Sequence, residues 1–352
     1  MTSQTEFTVR YWGATGSLSR PLLPGEVADK LIAALIELSR QDALGRITEI
    51  VDDPQAVRQW VERRLPFHLR SAYGGNTSCV EIQTPDALLI LDAGSGLREL
   101  GVELERRFND PDFDGPRQAH VLLTHAHMDH TYATPFFDPY YDERNDFTVW
   151  APPAVLDSLE AVLGPASALR GIFFPPSFDS LPGLRSFRPV EADADFYIGA
   201  TRVTTFALNH PGGCLAYRLK RGDRALVFAS DHEHTQVPDV ALATFAAGAD
   251  LLYMDAQYWQ DEYDGRRGIL DEPPQVRHGW GHSTVEACIP TALAAGARHL
   301  HLGHHEPKRN DEDLARLEAH AQRLMQDALA EASRGSEDCQ VRLVHEGLVQ
   351  RV

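Results

Sequence analysis

The sequence has 352 residues, of which 43% are hydrophobic and 24% charged, a composition typical of globular proteins with a sizeable core. Its 33 lysines and arginines against 51 aspartates and glutamates give a net charge of −18, which disfavours binding to long nucleic acids or anionic membranes. No stretch approaches the roughly 20 apolar residues of a membrane-spanning helix, and the first residues lack an export signal. We therefore expect a cytoplasmic protein. The four cysteines are far apart and suggest neither a disulfide framework nor a thiolate zinc site.

The predicted elements begin with a strand at residues 7–12, which ends in the turn Gly-Ala-Thr-Gly-Ser. Two helices follow within residues 18–70. The first has apolar residues at helical spacing: Val27, Leu31, Ile32, Leu35, Ile36 and Leu38. The second starts at an Asp-Pro cap and is expected to bury Val57, Trp60 and Val61.

The rest of the chain predicts many short strands that later alternate with helices. Strands are expected at residues 79–83, 87–91, 121–124, 148–150, 203–208, 215–219, 226–229, 251–254, 299–303 and 341–344, and helices at 153–163, 284–295 and 311–330. This order favours a layered α/β protein with helices outside the sheets. Because no linker-like segment interrupts it, we expect one domain over residues 1–352, with residues 18–70 as a helical insertion.

A histidine-rich segment carries the strongest chemical signal. The predicted strand 121–124 runs directly into His-Ala-His-Met-Asp-His at residues 125–130. Residues two apart in extended chain point the same way, so His125 and His127 can hold one metal ion, while Asp129 and His130 can reach a second. Imidazole nitrogen and carboxylate oxygen without sulfur suit Zn²⁺ first, with Mn²⁺ or Fe²⁺ as alternatives.

Three more candidate ligands follow predicted strands in the same way. His210, Asp231 and His304 each lie just past a strand end, where side chains from different strands can converge. With the 125–130 segment they complete two sites that share Asp231 as a bridge. One would use His125, His127 and His210, and the other Asp129, His130 and His304.

These residues resemble the metallo-β-lactamase superfamily of binuclear hydrolases, a likeness that covers the chain outside the insertion. The resemblance implies a four-layer αββα sandwich with the site at one edge of the sheets. Six finer motifs resemble the branch that contains ribonuclease Z and PhnP-type phosphodiesterases: GGNTSC, LDAGSG, SDHEH, MDAQY, WGHST and GHHEP. Carried over from ribonuclease Z, they imply that Asp255 and His282 form a catalytic pair. The acid is aspartate here, one methylene shorter than the glutamate of ribonuclease Z, so their distance is open.

Residues next to these motifs receive supporting roles. We expect Asp92 to orient a ligand histidine, and His232 and Glu233 to orient Asp231. His305 follows the ligand His304, and we expect it to support the ligands or to contact the substrate.

The leading hypothesis is a phosphodiesterase in which metal-bound hydroxide attacks a small phosphodiester, a cyclic nucleotide being one candidate. His282 would serve as general acid, Asp255 would orient it, and Asp129 would act both as ligand and in catalysis. Alternatives that stay open are a lactonase, a β-lactamase-like or thioester hydrolase, a ribonuclease Z-like endonuclease, and a metal-stabilised binding module. The charge and the absence of a basic glycine-rich arm make nucleic acid a poor substrate candidate. The insertion could serve a homodimer or a lid.

Overall fold

In the computed structural model, the protein is described for residues 6–41, 43–167, 175–333, 335 and 338–352. The strands in chain order are β1 Thr8–Gly13, β2 Cys79–Gln83, β3 Leu88–Leu91, β4 Gln118–Leu122, β5 Asp146–Ala151, β6 Leu184–Pro189, β7 Asp195–Ile198, β8 Thr201–Leu208, β9 Cys214–Arg221, β10 Arg224–Ala229, β11 Leu251–Asp255, β12 His299–Gly303, β13 Gln340–Leu343 and β14 Val349–Arg351. The helices are α1 Pro24–Arg40, α2 Pro54–Arg64, α3 Phe67–Arg70, α4 Gly96–Phe108, α5 Met128–Thr131, α6 Pro153–Leu163, α7 Val240–Phe245, α8 Gln260–Tyr263, α9 Val285–Ala295 and α10 Asp311–Glu331.

Within this described part, the strands form two mixed sheets of seven. Their orders are β14-β1-β2-β3-β4-β5-β6 and β13-β12-β11-β10-β9-β8-β7. In each sheet three antiparallel pairings are followed by three parallel ones, from β3 to β6 and from β10 to β13. Parallel neighbours end at the same sheet edge, which places the segments after β3, β4, β10, β11 and β12 at common rims.

The core lies in three layers. Residues such as Val9, Leu91, Tyr217 and Phe228 pack between the two sheets. A second cluster joins the outer face of one sheet to α4 and α6, and a third joins the other sheet to α7, α9 and α10. Helices thus cover both outer faces, and the predicted four-layer arrangement is confirmed. The division into one domain, with residues 18–70 as an insertion, stays a prediction.

Two differences from the predicted elements have clear physical causes. The strand predicted at 121–124 ends at Leu122, because the Thr124 N–H donates to the Asp92 carboxylate at 2.9 Å instead of to a neighbouring strand. Helix α4 was missed, although Leu97, Leu100, Leu104 and Phe108 are spaced as one buried helical face.

The two helices predicted within residues 18–70 form, but they bury less than expected. In α1 Ala34 and Leu38 are buried, whereas most of its predicted apolar face is exposed. In α2 Val57, Trp60 and Val61 are only half-buried. Among the described helices, none combines the length and the apolar composition needed to cross a bilayer.

Candidate metal centre

The predicted ligands meet at one edge of the two sheets. The sequence places each of them at or just beyond the end of a strand, and the parallel order brings those ends together. Asp92 follows β3, the segment 125–130 follows β4, and Asp231 and His304 follow β10 and β12. His210 follows β8, which runs in the same direction as β10 because both pair antiparallel to β9.

The first cluster consists of His125, His127, His210 and Asp231, whose ligand atoms all lie within 4.8 Å of one another. Asp231 Oδ2 lies 3.5 Å from His125 Nε2 and 3.8 Å from His210 Nε2. His210 Nε2 is also 3.0 Å from His127 Nδ1. Three imidazoles and one carboxylate therefore face a common point, an arrangement able to hold one divalent cation.

The second cluster consists of Asp129, His130, Asp231 and His304, again within 4.8 Å. Asp231 Oδ1 lies 3.0 Å from His304 Nδ1 and 3.3 Å from His130 Nε2, which is also 3.3 Å from Asp129 Oδ2. Asp231 thus directs Oδ2 to the first cluster and Oδ1 to the second. This is the geometry of a bridging carboxylate.

Unpaired buried nitrogens test whether cations fit these clusters. His125 Nε2, His130 Nε2 and both ring nitrogens of His304 are buried without a hydrogen-bond partner. An unpaired buried polar atom is costly and is rare in native proteins, whereas a metal ion satisfies such an atom directly. One nitrogen of each of these three rings belongs to a cluster, so the donor set fits a pair of divalent ions.

The pKa values of the same residues report the concentrated negative charge. Burial alone would lower the pKa of His130, but Asp231, Asp129 and Asp92 raise it well above its usual value. Burial lowers the pKa of His125 well below its usual value, and this keeps the ring neutral, as ligation requires. The buried carboxylates therefore favour positive charge at this edge of the sheets, which dications would supply.

Asp92 orients one candidate ligand histidine directly and a second one through Thr124. Its Oδ2 lies 2.6 Å from His130 Nδ1, and its Oδ1 accepts from Thr124 Oγ1 at 2.9 Å. Thr124 Oγ1 in turn lies 3.0 Å from His125 Nδ1. Both histidines are therefore fixed through Nδ1, with Nε2 left for a metal. The role predicted for Asp92 agrees with these contacts.

We expect Asp92→Asn to lower metal affinity about 10–100-fold, as loss of such orienting carboxylates does in other metal sites. Asparagine tolerates the positive φ of 62° at this position, so the backbone turn is retained. Metal content after dialysis against graded chelator measures the effect. The matched control is Asp250→Asn. Asp250 is a buried aspartate that directly precedes β11, at the end of the strand away from the clusters, and it binds Arg224 and Arg298. Equal affinity in wild type and Asp92→Asn would contradict this role.

Backbone strain is concentrated at the same place. Of the seven non-glycine residues with positive φ in the described ranges, Ser17, Asp92, Asp231 and His304 belong to the site. Such conformations cost about 1–3 kcal/mol each and persist where surrounding structure enforces them. Asp92 and His304 directly follow a strand end, and Asp231 comes one residue after Ser230. These turns direct Asp231 and His304 into the clusters and Asp92 toward His130.

The loop of residues 279–281 positions His210. The Nδ1–H of His210 donates to the Gly281 carbonyl at 2.9 Å, and a Cβ at Gly281 would lie 2.1 Å from that nitrogen. Glu233 anchors the loop, because its carboxylate accepts from the backbone N–H groups of Gly279 and Gly281 at 2.7 and 2.8 Å. The expectation that Glu233 orients Asp231 is therefore wrong.

The same expectation for His232 is also wrong. Its Nε2 pairs with Asp239 at 3.0 Å, and its Nδ1 accepts from the backbone N–H of Asn209. Asp231 is instead oriented by Ser230, whose hydroxyl donates to Oδ1 at 2.7 Å.

His282 and Asp255 form a close pair beside the second cluster. Asp255 ends β11, and its Oδ2 lies 2.6 Å from His282 Nδ1, so the shorter acid does reach the histidine. The His282 ring stacks on His304 at 4.8 Å between centroids. Burial opposes protonation, but the charge and hydrogen bond of Asp255 raise the pKa of His282 to about 9. A proton donor is thus held next to the candidate cation sites.

His305 does not join the site. It is buried, its Nε2 lies 2.7 Å from the Val344 carbonyl, and it belongs to neither cluster. Burial lowers its pKa to about 4. The role predicted for His305 in ligand support or substrate contact is wrong, because its ring nitrogen is bound to the backbone near the C-terminus.

Sequence reasoning missed the contribution of the loop after β1. The Ser17 N–H donates to Asp129 Oδ2 at 2.7 Å, and a Cβ at Gly16 would lie 2.4 Å from the His304 ring. The only signal was the turn Gly-Ala-Thr-Gly-Ser, whose small residues allow this close approach. Thr124 was likewise missed, because Asp92 lies 32 residues away, and Glu233 was assigned the wrong partner, because Gly279 and Gly281 are remote from it in sequence.

Comparison with known proteins places this geometry in context. The family model described as Beta-lactamase superfamily domain matches residues 88–305, more than half of the chain. No curated protein matches the sequence. Among solved structures, the metallo-beta-lactamase fold protein YhfI from Bacillus subtilis has a TM-score of 0.59 and 16% identity, covering 99% of this chain and 100% of its own.

Two further structures share the fold. A diphosphatase from the PhnP family has a TM-score of 0.54 and 15% identity, covering 99% of this chain and 97% of its own. The short form of human tRNase Z has a TM-score of 0.50 and 14% identity, covering 97% of this chain and 98% of its own. The predicted resemblance to a superfamily with ribonuclease Z and PhnP-type members is confirmed.

Proposed function

The chain belongs to the beta-lactamase superfamily, whose members are generally metal-binding hydrolases, and we propose that it is a binuclear hydrolase of small phosphodiesters. The observation that carries this proposal is the His282–Asp255 pair, 2.6 Å apart, beside two ligand clusters that share Asp231. Hydrolysis of a phosphodiester needs charge neutralisation at phosphorus and a proton for the leaving oxygen, and this edge of the sheets offers groups for both.

The proposed ligands are divided between two ions. His125, His127 and His210 would hold one, Asp129, His130 and His304 the other, and Asp231 both. The nitrogen and oxygen donors favour Zn²⁺, with Mn²⁺ or Fe²⁺ as alternatives. When bound, such ions polarise a phosphoryl oxygen and lower the pKa of water.

His282 would supply the proton to the leaving alkoxide. Its Nδ1–H is donated to Asp255, so the Nε2–H is the proton available for transfer. Asp255 fixes the ring orientation and stabilises the positive charge of the protonated ring. His282 is part-exposed while Asp255 is fully buried, so the histidine is the member of the pair that a substrate can reach.

The charge of the chain favours a small substrate. A net charge of −18 repels a long polyanion, whereas a single phosphodiester can be drawn to a site that holds two dications. The resemblance to a PhnP-family diphosphatase supports a small-molecule substrate. The resemblance to a tRNase Z means that an RNA substrate has to be excluded by experiment.

The test is a metal analysis followed by a substrate panel. We expect close to two divalent ions per chain and metal-dependent hydrolysis of bis-(p-nitrophenyl) phosphate, cyclic nucleotides or dinucleotides. The same preparation is assayed with a lactone, a β-lactam, a thioester and a precursor tRNA. Turnover of an ester or amide without any phosphodiester turnover would replace the proposal by a lactonase- or thioesterase-like function. Nearly metal-free protein without turnover would favour a binding module.

A further inference from the structure

The outward surface of residues 18–51 is unusually apolar. Of the 22 large hydrophobic residues that are exposed in the described ranges, ten fall in this short segment. They are Leu18, Leu22, Leu23, Val27, Leu31, Ile32, Leu35, Ile36, Leu44 and Val51. Scattered apolar side chains are normal on a surface, but a concentration of this kind marks an interaction site.

The centre of this surface is one side of α1, here called the α1 face and formed by Leu23, Val27, Leu31, Ile32, Leu35 and Ile36. Val27, Leu31 and Leu35 follow one another at four-residue intervals, and Ile32 and Ile36 form the adjacent row. Leu31, the most exposed, has 62% of its surface open to solvent. No charged residue interrupts the two rows.

The helix is held in place by its other side, so the α1 face is not the product of a loosely attached helix. Ala34 and Leu38 pack with Ala43 and Leu65 in a small buried cluster. Lys30 forms an ion pair with Asp311 at 2.5 Å, and Asp311 also accepts from the Tyr73 N–H. The exposed rows are therefore presented on a fixed scaffold.

The charge of the protein argues against binding of the α1 face to a lipid membrane. Helices that lie on membranes carry lysine and arginine on their polar side to meet anionic headgroups. Here the flanks of the α1 face carry Asp29 and Arg40, and the whole chain carries a charge of −18. An anionic bilayer would repel this protein, whereas a protein surface of matching shape would not.

We propose that the α1 face is a homodimer interface, in which α1 packs antiparallel against α1 of a second copy. Its six side chains are each about half exposed, so their complete burial in both copies would remove at most roughly 1,200 Å² from solvent, the lower end of the range for specific interfaces. A two-fold axis that passes the helix between residues 34 and 35 sets the rows of Leu31, Ile32, Leu35 and Ile36 against the same rows of the partner.

The charges on the flank are complementary in this arrangement. Asp29 lies near the start of α1 and Arg40 at its end, on the same side of the helix. Antiparallel pairing about a centre between them brings Asp29 of each copy beside Arg40 of the other. The helix dipoles also oppose one another, which favours antiparallel over parallel pairing.

The interface would border the candidate metal centre. Between Ser17, which contacts Asp129, and α1 lies a loop that Ser19 anchors through hydrogen bonds with Ser95 and Tyr132 at 2.9 and 2.6 Å. Dimerisation would therefore immobilise the loop that connects Ser17, the residue in contact with Asp129, to the α1 face. This consequence does not depend on the reaction that the site performs.

Sedimentation equilibrium of the full chain across a concentration series tests the proposal. We expect a monomer–dimer equilibrium, with Leu31→Glu and Leu35→Glu each weakening dimerisation at least about 100-fold, as expected for a charge at a desolvated interface centre. The matched control is Val102→Glu, an exposed valine on α4, which should dimerise as wild type. Circular dichroism and thermal unfolding show whether the variants fold. A wild-type monomer throughout, or a dimer insensitive to both substitutions, would overturn the proposal, as would binding to anionic vesicles by the monomer.

A charge exchange tests the antiparallel orientation. Asp29→Arg or Arg40→Asp alone should weaken the dimer by about tenfold, because each places like charges together twice per dimer. The double variant restores opposite charges and should recover affinity. Additive weakening in the double variant would overturn antiparallel pairing. Raising the salt concentration should strengthen the wild-type dimer, since it screens repulsion between two chains of charge −18.

Discussion

Asp231→Asn is expected to empty both proposed cation sites together and to lower kcat/KM by at least about a thousand-fold, the loss expected when metal-ion catalysis is removed. Asp231 uses Oδ2 toward His125 and His210 and Oδ1 toward His130 and His304. Asparagine keeps one oxygen but no charge, so it cannot bridge two dications. Because asparagine also tolerates the positive φ of 43° found here, the backbone should keep its turn.

The measurement is metal content per chain, by atomic spectroscopy, together with kcat/KM on the best phosphodiester. His127→Ala provides a graded comparison, since His127 belongs to the first cluster alone and is exposed. It should weaken one site and leave the other occupied. Asp250→Asn controls for the loss of a buried carboxylate elsewhere. Retention of two ions and near wild-type turnover in Asp231→Asn would rule out the bridging role.

The convergence of the proposed ligands could be predicted because it depends on strand ends. Each candidate ligand lies at the end of a short apolar run, and parallel order brings such ends to one edge without any knowledge of loop paths. The segment 125–130 adds four ligand-type residues in six positions. Because residues two apart in extended chain point the same way, their side chains can be predicted to converge from the local sequence alone. His304 and His305 were harder to separate, because adjacent histidines differ only in the direction of the backbone turn. The positive φ of His304 decides which ring enters the cluster.

Other features could not be predicted because their partners are distant in sequence. Glu233 anchors Gly279 and Gly281 across 46 and 48 residues, and no local pattern reveals which backbone N–H groups a carboxylate will meet. The apolar rows of α1 show the opposite problem. Their spacing predicts an amphipathic helix correctly, but periodicity cannot say whether the apolar side packs on the body of the protein or faces outward. In α1 most of it faces outward, because of the six predicted apolar residues Leu38 alone is buried, together with Ala34.

His282→Ala should lower kcat by about 10²–10⁴-fold for phosphodiesters with alkoxide leaving groups, the usual contribution of a general acid. The loss should be much smaller for bis-(p-nitrophenyl) phosphate, because p-nitrophenolate is a stable anion that leaves without a proton. Metal content should stay at the wild-type value, since the two clusters keep all their ligands. This dependence on the leaving group separates proton donation from a merely structural role, which would affect all substrates alike.

Asp255→Asn provides the second readout for the same pair. In wild type the charge of Asp255 outweighs burial and raises the pKa of His282, so the protonated donor persists to higher pH. Loss of that charge lowers the pKa of His282, so activity that depends on protonated His282 should decline at lower pH than in wild type. Proton donation by His282 would be excluded if His282→Ala lost the same activity on substrates with good and poor leaving groups. It would also be excluded if the activity of Asp255→Asn declined at the same alkaline pH as that of wild type. Ester turnover that survives His282→Ala, in a protein without detectable phosphodiester turnover, would favour the lactonase- or thioesterase-like alternative, because those reactions need no acid besides the metals.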